Sequence, residues 1–289
     1  MNKGLVISGG GARGLFAIQI LKNMKHDCFN FSEIKTISGV SVGSIIGAMV
    51  VQGDLDICLN MFRQIKNKDV YKGKLNIWNV LKSLLFGKNY VLDIEPLYNT
   101  LKKYISLNKA KNSNMDFNFG IVDLEAGVYK SFNKNDFIDN ENYIRAIMAS
   151  CSQELIWKPQ SFFTKFEKIN FGSDGGIVTV SPISSVLHDS IDEIIIINNT
   201  PNKINKDSNL NKLHSIAYRM LNIMLNSSFN KDLKTFIERN GDKRHQRYKY
   251  RIYQTSLNDD GLDFDNLELI QNRINDANLQ YTNTNQNCR

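Results

Sequence analysis

Gly39-Val40-Ser41-Val42-Gly43 sets one serine between two glycines at the end of the apolar run Ile34 to Ser38, and the apolar stretch Ser44 to Val50 follows at once. This order predicts a strand, a tight turn and a helix. Glycines on both sides let the chain bend sharply enough to hold the serine in a strained conformation with its oxygen exposed at the helix N-terminus, where it can attack a carbonyl. A second unit of the same build lies one strand earlier: Leu5 to Ser8, the turn Gly9-Gly10-Gly11-Ala12-Arg13-Gly14, and the helical stretch Leu15 to Met24. Amides of successive glycines in such a turn can converge on one anion, helped by the helix dipole, which is what a tetrahedral oxyanion requires. Arg13 adds a permanent positive charge, suited either to a substrate phosphodiester beside the scissile ester or to a neighbouring carboxylate.

Asp174-Gly175-Gly176 supplies a carboxylate on a third glycine turn, although Asp-Gly taken alone is also a common hairpin dipeptide. The three segments occur in the order G-G-G-x-R/K-G, G-x-S-x-G, D-G-G/A, and in this the chain resembles the patatin-like phospholipases. The resemblance continues through Leu92-Asp93-Ile94-Glu95-Pro96-Leu97, Gly120 to Gly127, Ala146 to Ser150 and Pro182-Ile183. It spans roughly Lys3 to Asn199, with a fainter echo from Tyr250 to Ile274. Two departures are local. Ser152 and Glu154 replace the alanine and proline usual after Ala149-Ser150, which points to a reshaped acyl-pocket wall, and the run Ile177 to Pro182 lacks an asparagine often found there.

The resemblance implies a three-layer α/β/α sandwich with a largely parallel central sheet and a Ser-Asp dyad that uses no histidine. An aspartate with an ordinary pKa of about 3.9 is a weak base for a hydroxyl. Its surroundings have to help it. Apolar neighbours such as Phe171 and Ile177 are expected to raise the proton affinity of Asp174, which would bond Ser41 directly. In the implied cycle Asp174 takes the serine proton, Ser41 forms an acyl-enzyme, and the amides of Gly10 and Gly11, with Gly9 in the same turn, hold the oxyanion. Water activated by Asp174 then releases the fatty acid. Gly14, Gly39, Gly43, Gly175 and Gly176 shape the turns, Arg13 is the candidate phosphate contact, and no metal or cofactor is called for.

Other readings compete at particular residues. Gly9-x-Gly11-x-x-Gly14 also fits a dinucleotide-binding fingerprint, with Asp27 or Glu33 near the distance of a ribose contact, yet the second strand runs straight into the serine turn. A Ser-His-Asp triad would need His188, His214 or His245, but only about one strand precedes the elbow strand, fewer than an α/β-hydrolase builds. These three and His26 are read as surface or packing residues.

Composition frames the rest. A chain of 289 residues with 42% hydrophobic content supports one sizeable core. No run of 18 apolar residues is present, and the first strand begins too early for a signal peptide, so the expected location is cytoplasmic or peripheral at a membrane, with leaderless secretion open. Cys28, Cys58, Cys151 and Cys288 show neither a C-x-x-C pair nor a disulfide framework. The net charge of +7 favours acidic surfaces. Lys66 to Lys88 mixes Lys68, Lys72, Lys74, Lys82 and Lys88 with Trp78, Leu81, Leu85 and Phe86, the composition either of an interfacial segment or of an ordinary amphipathic helix. Lys243 to Arg251 interleaves bases with aromatics; its alternation fits a strand, Lys249 to Gln254, better than a nucleic-acid site, and no nucleic acid is expected.

The expected organisation is a catalytic core over 1–199, helices and a strand over 200–279 completing the same domain, and a polar, disordered tail over 280–289. Strands are predicted at Leu5 to Ser8, Ile34 to Ser38, Phe117 to Val122, Val128 to Phe132 and Glu193 to Asn198, an exposed loop at Asn199 to Asp207, and a helix at Leu213 to Ile237. The function expected is hydrolysis of phospholipid or lysophospholipid acyl esters at a membrane, with any protein or lipid activator unidentified. A neutral-lipid esterase or acyltransferase with the same dyad, and an inactive lipid- or nucleic-acid-binding protein, are the alternatives.

Overall fold

The computed structural model describes residues 1–73, 77–153, 156–201, 204, 213–241, 246–259 and 261–286. Its centre is one mixed sheet in the order β5-β6-β3-β2-β1-β7-β8, with β4 also paired to β3. The strands are β1 (Lys3–Ile7), β2 (Ile34–Val40), β3 (Asp116–Asp123), β4 (Val128–Asn133), β5 (Gln160–Phe163), β6 (Lys168–Asp174), β7 (Glu193–Asn198) and β8 (Lys249–Gln254). From β3 to β8 the five central strands are parallel, while β4, β5 and β6 join in antiparallel fashion. β7 reads Glu-Ile-Ile-Ile-Ile-Asn and is buried throughout, as a parallel strand covered on both faces must be.

The helices are α1 (Gly14–His26), α2 (Val42–Val51), α3 (Leu55–Gln64), α4 (Asn67–Val70), α5 (Ile77–Leu85), α6 (Glu95–Leu101), α7 (Leu107–Asn112), α8 (Asn140–Ser150), α9 (Leu213–Asn240) and α10 (Leu267–Gln286). Alternation along the strands divides the core in two. Leu5, Ile7, Ile37, Phe117, Ile195 and Ile197 pack with α1, α2, α3 and α8, whereas Val6, Ile194 and Ile196 pack with Phe229 and Phe236 of α9. The crossovers β1-α1-β2 and β2-α2-β3 add strands to one side of β1, and β7 is added on the other. Right-handed crossovers therefore put α1 and α2 on one face and α9 on the other. The direction reverses at β1, so a crevice opens beyond the carboxyl ends of β1 and β2.

One detail of pairing positions the site. β3 offers one edge to β4 over Asn118 to Asp123 and divides the opposite edge, β2 taking Thr36↔Asp116 to Val40↔Gly120 and β6 taking Ile121↔Asp174 to Asp123↔Gly172. The end of β6 thus lies directly beyond the end of β2. β5 and β6 were not among the strands expected from sequence, because their apolar residues alternate weakly and sit in a short antiparallel hairpin.

Two expectations are corrected. The tail is not a disordered appendage as far as Gln286: it continues α10, where Tyr281 stacks on Tyr253 and donates to Asp27 at 3.0 Å, and Tyr253 donates to Asn285 at 2.9 Å. Hydrogen bonds from aromatic hydroxyls compensate a segment whose composition is polar. Nor is Asn199 exposed; it and Thr200 are buried, and most of the remainder of that loop lies outside the described residues, as do Glu154, Lys243 to His245 and Cys288. No helix among the described residues is long and apolar enough to cross a membrane. Tyr281→Ala removes both the stacking and the bond to Asp27, and should lower the urea-unfolding free energy by about 1–3 kcal/mol.

Candidate active site

Ser41 occupies the left-handed region at φ 53°, ψ −130°, immediately before α2. A non-glycine residue is rare there, and the strain is held by its surroundings. Its amide donates to Ser150 Oγ at 2.8 Å, and that hydroxyl donates in turn to the Gly120 carbonyl at 2.7 Å. Ser44 closes the turn from the other side, its amide and hydroxyl both donating to the Ser41 carbonyl at 2.9 and 2.6 Å. Close approach explains the flanking glycines: a Cβ on Gly39 would lie 2.3 Å from the Gly43 carbonyl oxygen, and one on Gly43 would lie 2.1 Å from that of Ile7.

Asp174 ends β6 as the cap of a short 3₁₀ turn, Gly175–Ile177, with Oδ1 accepting the Gly176 amide at 2.7 Å. Its own amide donates to the Ser152 carbonyl at 2.9 Å, and Ser173 Oγ donates to the same oxygen at 2.6 Å. The Ser152 carbonyl therefore supports the strand that carries Asp174, while its hydroxyl donates to the Met148 carbonyl at 2.9 Å and Ser152 does not line the cavity. Phe171, expected to desolvate Asp174, is exposed and does not line the cavity; Ile177 does line it.

In the glycine turn the Gly9 amide donates to Val180, the Ala12 amide to Gly261 at 2.7 Å and the Arg13 amide to Gly10. Those of Gly10 and Gly11 have no protein acceptor among the described residues. Gly10 has φ 149° and Gly11 φ 58°, conformations that favour glycine. Asn199 props this turn, its amide donating to Ser8 Oγ at 2.7 Å and its side chain to the Ser8 carbonyl at 2.9 Å. Ser41, Asp174, Gly9, Gly10 and Gly11 all line one cavity of about 480 Å³. Its wall is mainly apolar, with Met61, Phe62, Ile65, Val70, Leu97 and Leu101 along one side, and the half-exposed Ile177, Met220 and Met224 mark its mouth.

Arg13 also lines the cavity, and its guanidinium is engaged by protein partners. Its guanidinium is buried, with Nε bonded to Asp259 Oδ1 at 3.0 Å and Nη2 to Asn222 Oδ1 at 2.8 Å. Asp259 Oδ2 also binds the fully buried Arg273 of α10 at 2.6 Å. One turn on, Asp276 accepts the hydroxyls of Thr255 and Ser256 at 2.7 and 2.6 Å. α10 thereby holds the 255–263 loop against the glycine turn, and Arg13 works as a clamp because a carboxylate reaches it inside the protein.

The remaining candidates fall away from the cavity. Glu33 pairs with Lys3 at the far end of β1, and Asp27 accepts Tyr281, so neither faces the glycine turn. His26 is exposed, His188 bonds Ser190, and the side chain of His214 and the whole of His245 lie outside the described residues. Cys151 lines the cavity, but burial and the charge of Asp174 push its thiol well above the usual range. Among the described residues no cluster could hold a metal ion. Ser150, Asn199 and Asp259 were missed as supporting residues, although each lay within a quoted stretch, because nothing in one sequence ties them to the turns they hold.

The family model described as patatin-like phospholipase matches residues 5–187. An uncharacterised protein, R571, of Acanthamoeba polyphaga mimivirus is 47% identical over 51 residues, 18% of this chain and 17% of the viral protein. Among solved structures, VipD from Legionella pneumophila superposes over 98% of this chain and 67% of its own, with 11% identity and a TM-score of 0.44. ExoU bound to SpcU, from Pseudomonas aeruginosa, superposes over 80% of this chain and 52% of its own, with 14% identity and a TM-score of 0.39.

Asp259→Ala removes a carboxylate shared by two buried guanidinium groups and should cost about 3–5 kcal/mol in urea unfolding. Asp232 on α9 yields a pH-dependent test. It accepts the Ser181 amide at 3.3 Å, and burial pushes its carboxyl up to about 6 from an ordinary 3.8. The folded state binds that proton more tightly than the unfolded chain, so this contribution to stability is full below 3.8 and is lost as pH rises through about 6. Asp232→Asn should melt above wild type at about pH 8 and equal it near about pH 4, in thermal scans at both pH values.

Proposed function

Since the chain belongs to the patatin-like phospholipase family by its match over residues 5–187, we propose that it is a serine lipid acyl hydrolase acting on phospholipid or lysophospholipid through Ser41 and Asp174. The observation that carries this reading is the convergence, on one apolar cavity, of a strained serine, a glycine-capped carboxylate and two unengaged glycine amides.

In the proposed cycle an acyl chain lies along the Met61, Phe62 and Leu97 wall, which brings its ester carbonyl to Ser41. Asp174 accepts the Ser41 proton as the serine oxygen bonds to the carbonyl carbon. The Gly10 and Gly11 amides stabilise the oxyanion, and Asp174 returns the proton to the departing alcohol. Water, deprotonated by Asp174, then attacks the acyl-serine, and the released proton passes back to Ser41. Preorganisation favours this assignment: Ser150 and Ser44 fix the serine, and Gly176 holds one oxygen of Asp174 in place. The embedded Arg13 shifts headgroup selection away from that residue, so a neutral-lipid ester is the second reading this site favours.

Fatty-acid release from mixed phospholipid vesicles tests the proposal. Wild type should release acid, and Ser41→Ala and Asp174→Asn, shown folded by circular dichroism, should each lose at least about a thousandfold. Release that persists without Ser41 removes the assignment.

A further inference from the structure

The segment after α4 leaves the body of the protein and returns to it within a narrow neck. The backbones of Lys72 and Asp93 bond each other reciprocally at 2.8 and 3.0 Å, and the amides of Val91 and Leu92 both donate to the Ile156 carbonyl at 3.0 and 2.8 Å. Val70 at one foot and Ile156 and Trp157 at the other line the catalytic cavity, and the ring of Tyr71 lies 6.3 Å from that of Trp157. The excursion that carries α5 is therefore rooted in the cavity wall.

One apolar stripe of α5 faces solvent. Trp78, Leu81 and Leu85 recur at i, i+3 and i+7, with Phe86 beside them, and Trp78, Leu85 and Phe86 are 74%, 81% and 73% exposed. Among the described side chains of that helix, Ser83 is buried. A surface helix ordinarily turns that stripe to the interior. From Val70 to Leu92 the sequence has four lysines, Lys72, Lys74, Lys82 and Lys88, and no acidic residue. Lys82 and Lys88 are exposed beside the apolar stripe.

We propose that α5 seats this protein on an anionic phospholipid bilayer, with Trp78, Leu81, Leu85 and Phe86 entering the headgroup boundary and the lysines meeting lipid phosphates. Charge selects the occupant: apolar side chains alone would suit any hydrophobic partner, whereas a carboxylate-free run of lysines around exposed tryptophan and phenylalanine matches a negative interface. The proposal rests on the hydrolase reading for the purpose of the contact, since the neck would hold the cavity wall at the surface from which substrate comes.

The test uses the full chain carrying Ser41→Ala, so that vesicles stay intact, and sedimentation with phosphatidylcholine vesicles with and without phosphatidylserine. The expected result is binding to the phosphatidylserine vesicles with a blue shift of Trp78 emission, and a loss of at least about tenfold in Leu85→Asp/Phe86→Asp. In the Ser41 background of wild type, the double variant should hydrolyse a soluble short-chain ester at the unaltered rate, which also shows that it is folded. Equal sedimentation of the double variant and its parent overturns the proposal. So do equal binding to pure phosphatidylcholine and a gel-filtration shift from dimer to monomer in the variant, which would assign the face to a second copy. Vesicle binding that depends on α5 in a protein inert toward every ester would sink the hydrolase reading alone.

Discussion

The Ser150 hydroxyl lies between the Gly120 carbonyl and the Ser41 amide, and the rest of the site depends on that bridge. Gly120 is the residue at which β3 passes from β2 to β6, so the same short stretch orients the serine turn and fixes where Asp174 emerges. A strained φ at Ser41 persists only if neighbouring contacts over-determine it. Here one hydroxyl from α8, a second from Ser44 and the close packing of Gly39 on Gly43 do so together. The strain sits on rigid elements, which suits a nucleophile that must meet a carbonyl in one orientation.

The glycine turn depends on a different set of forces. Its backbone is exposed to the cavity, and two of its amides are unengaged within the protein, which is a poor arrangement for a loop left alone. Stability comes from behind. Asn199 holds Ser8, and the Arg13–Asp259–Arg273 cluster, buried and rich in charge-assisted bonds, pins the turn to the loop before α10. The Asp259 carboxylate bridges the two guanidinium groups, so the turn is tied to α10 through charge-assisted bonds. These partners lie beyond residue 187, so the part of the chain that matches the family model is completed by residues outside it.

The cavity and α5 have opposite relations to solvent. Apolar side chains in the cavity face a shielded interior suited to an acyl chain, while those of α5 face outward on a neck rooted in the same wall. Lysines accompany the second set, whereas among the described residues none lines the cavity. Under the two proposals, hydrophobic burial serves substrate in one place and adsorption in the other, with charge setting the kind of surface.

The three glycine turns, the positions of Ser41 and Asp174 at two of them and the parallel strands β1, β2, β3, β7 and β8 were legible in the sequence, because each is written in local chemistry: glycine where the backbone must turn sharply, and apolar runs where a strand is buried on both faces. The antiparallel hairpin β5-β6 and the packed tail were not legible. Their residues are polar or weakly alternating, and what orders them is pairing with Asp123, Asp27 and Tyr253 far along the chain. The role of Arg13 shows the same division. A guanidinium in a glycine turn predicts an anion, and Asp259 supplies one only because folding brings residue 259 to residue 13. Sequence by itself determined the chemical groups and their local turns; the tertiary structure decided which of them stand together, because long-range contacts are set by packing of the whole core and not by the neighbours of any one residue.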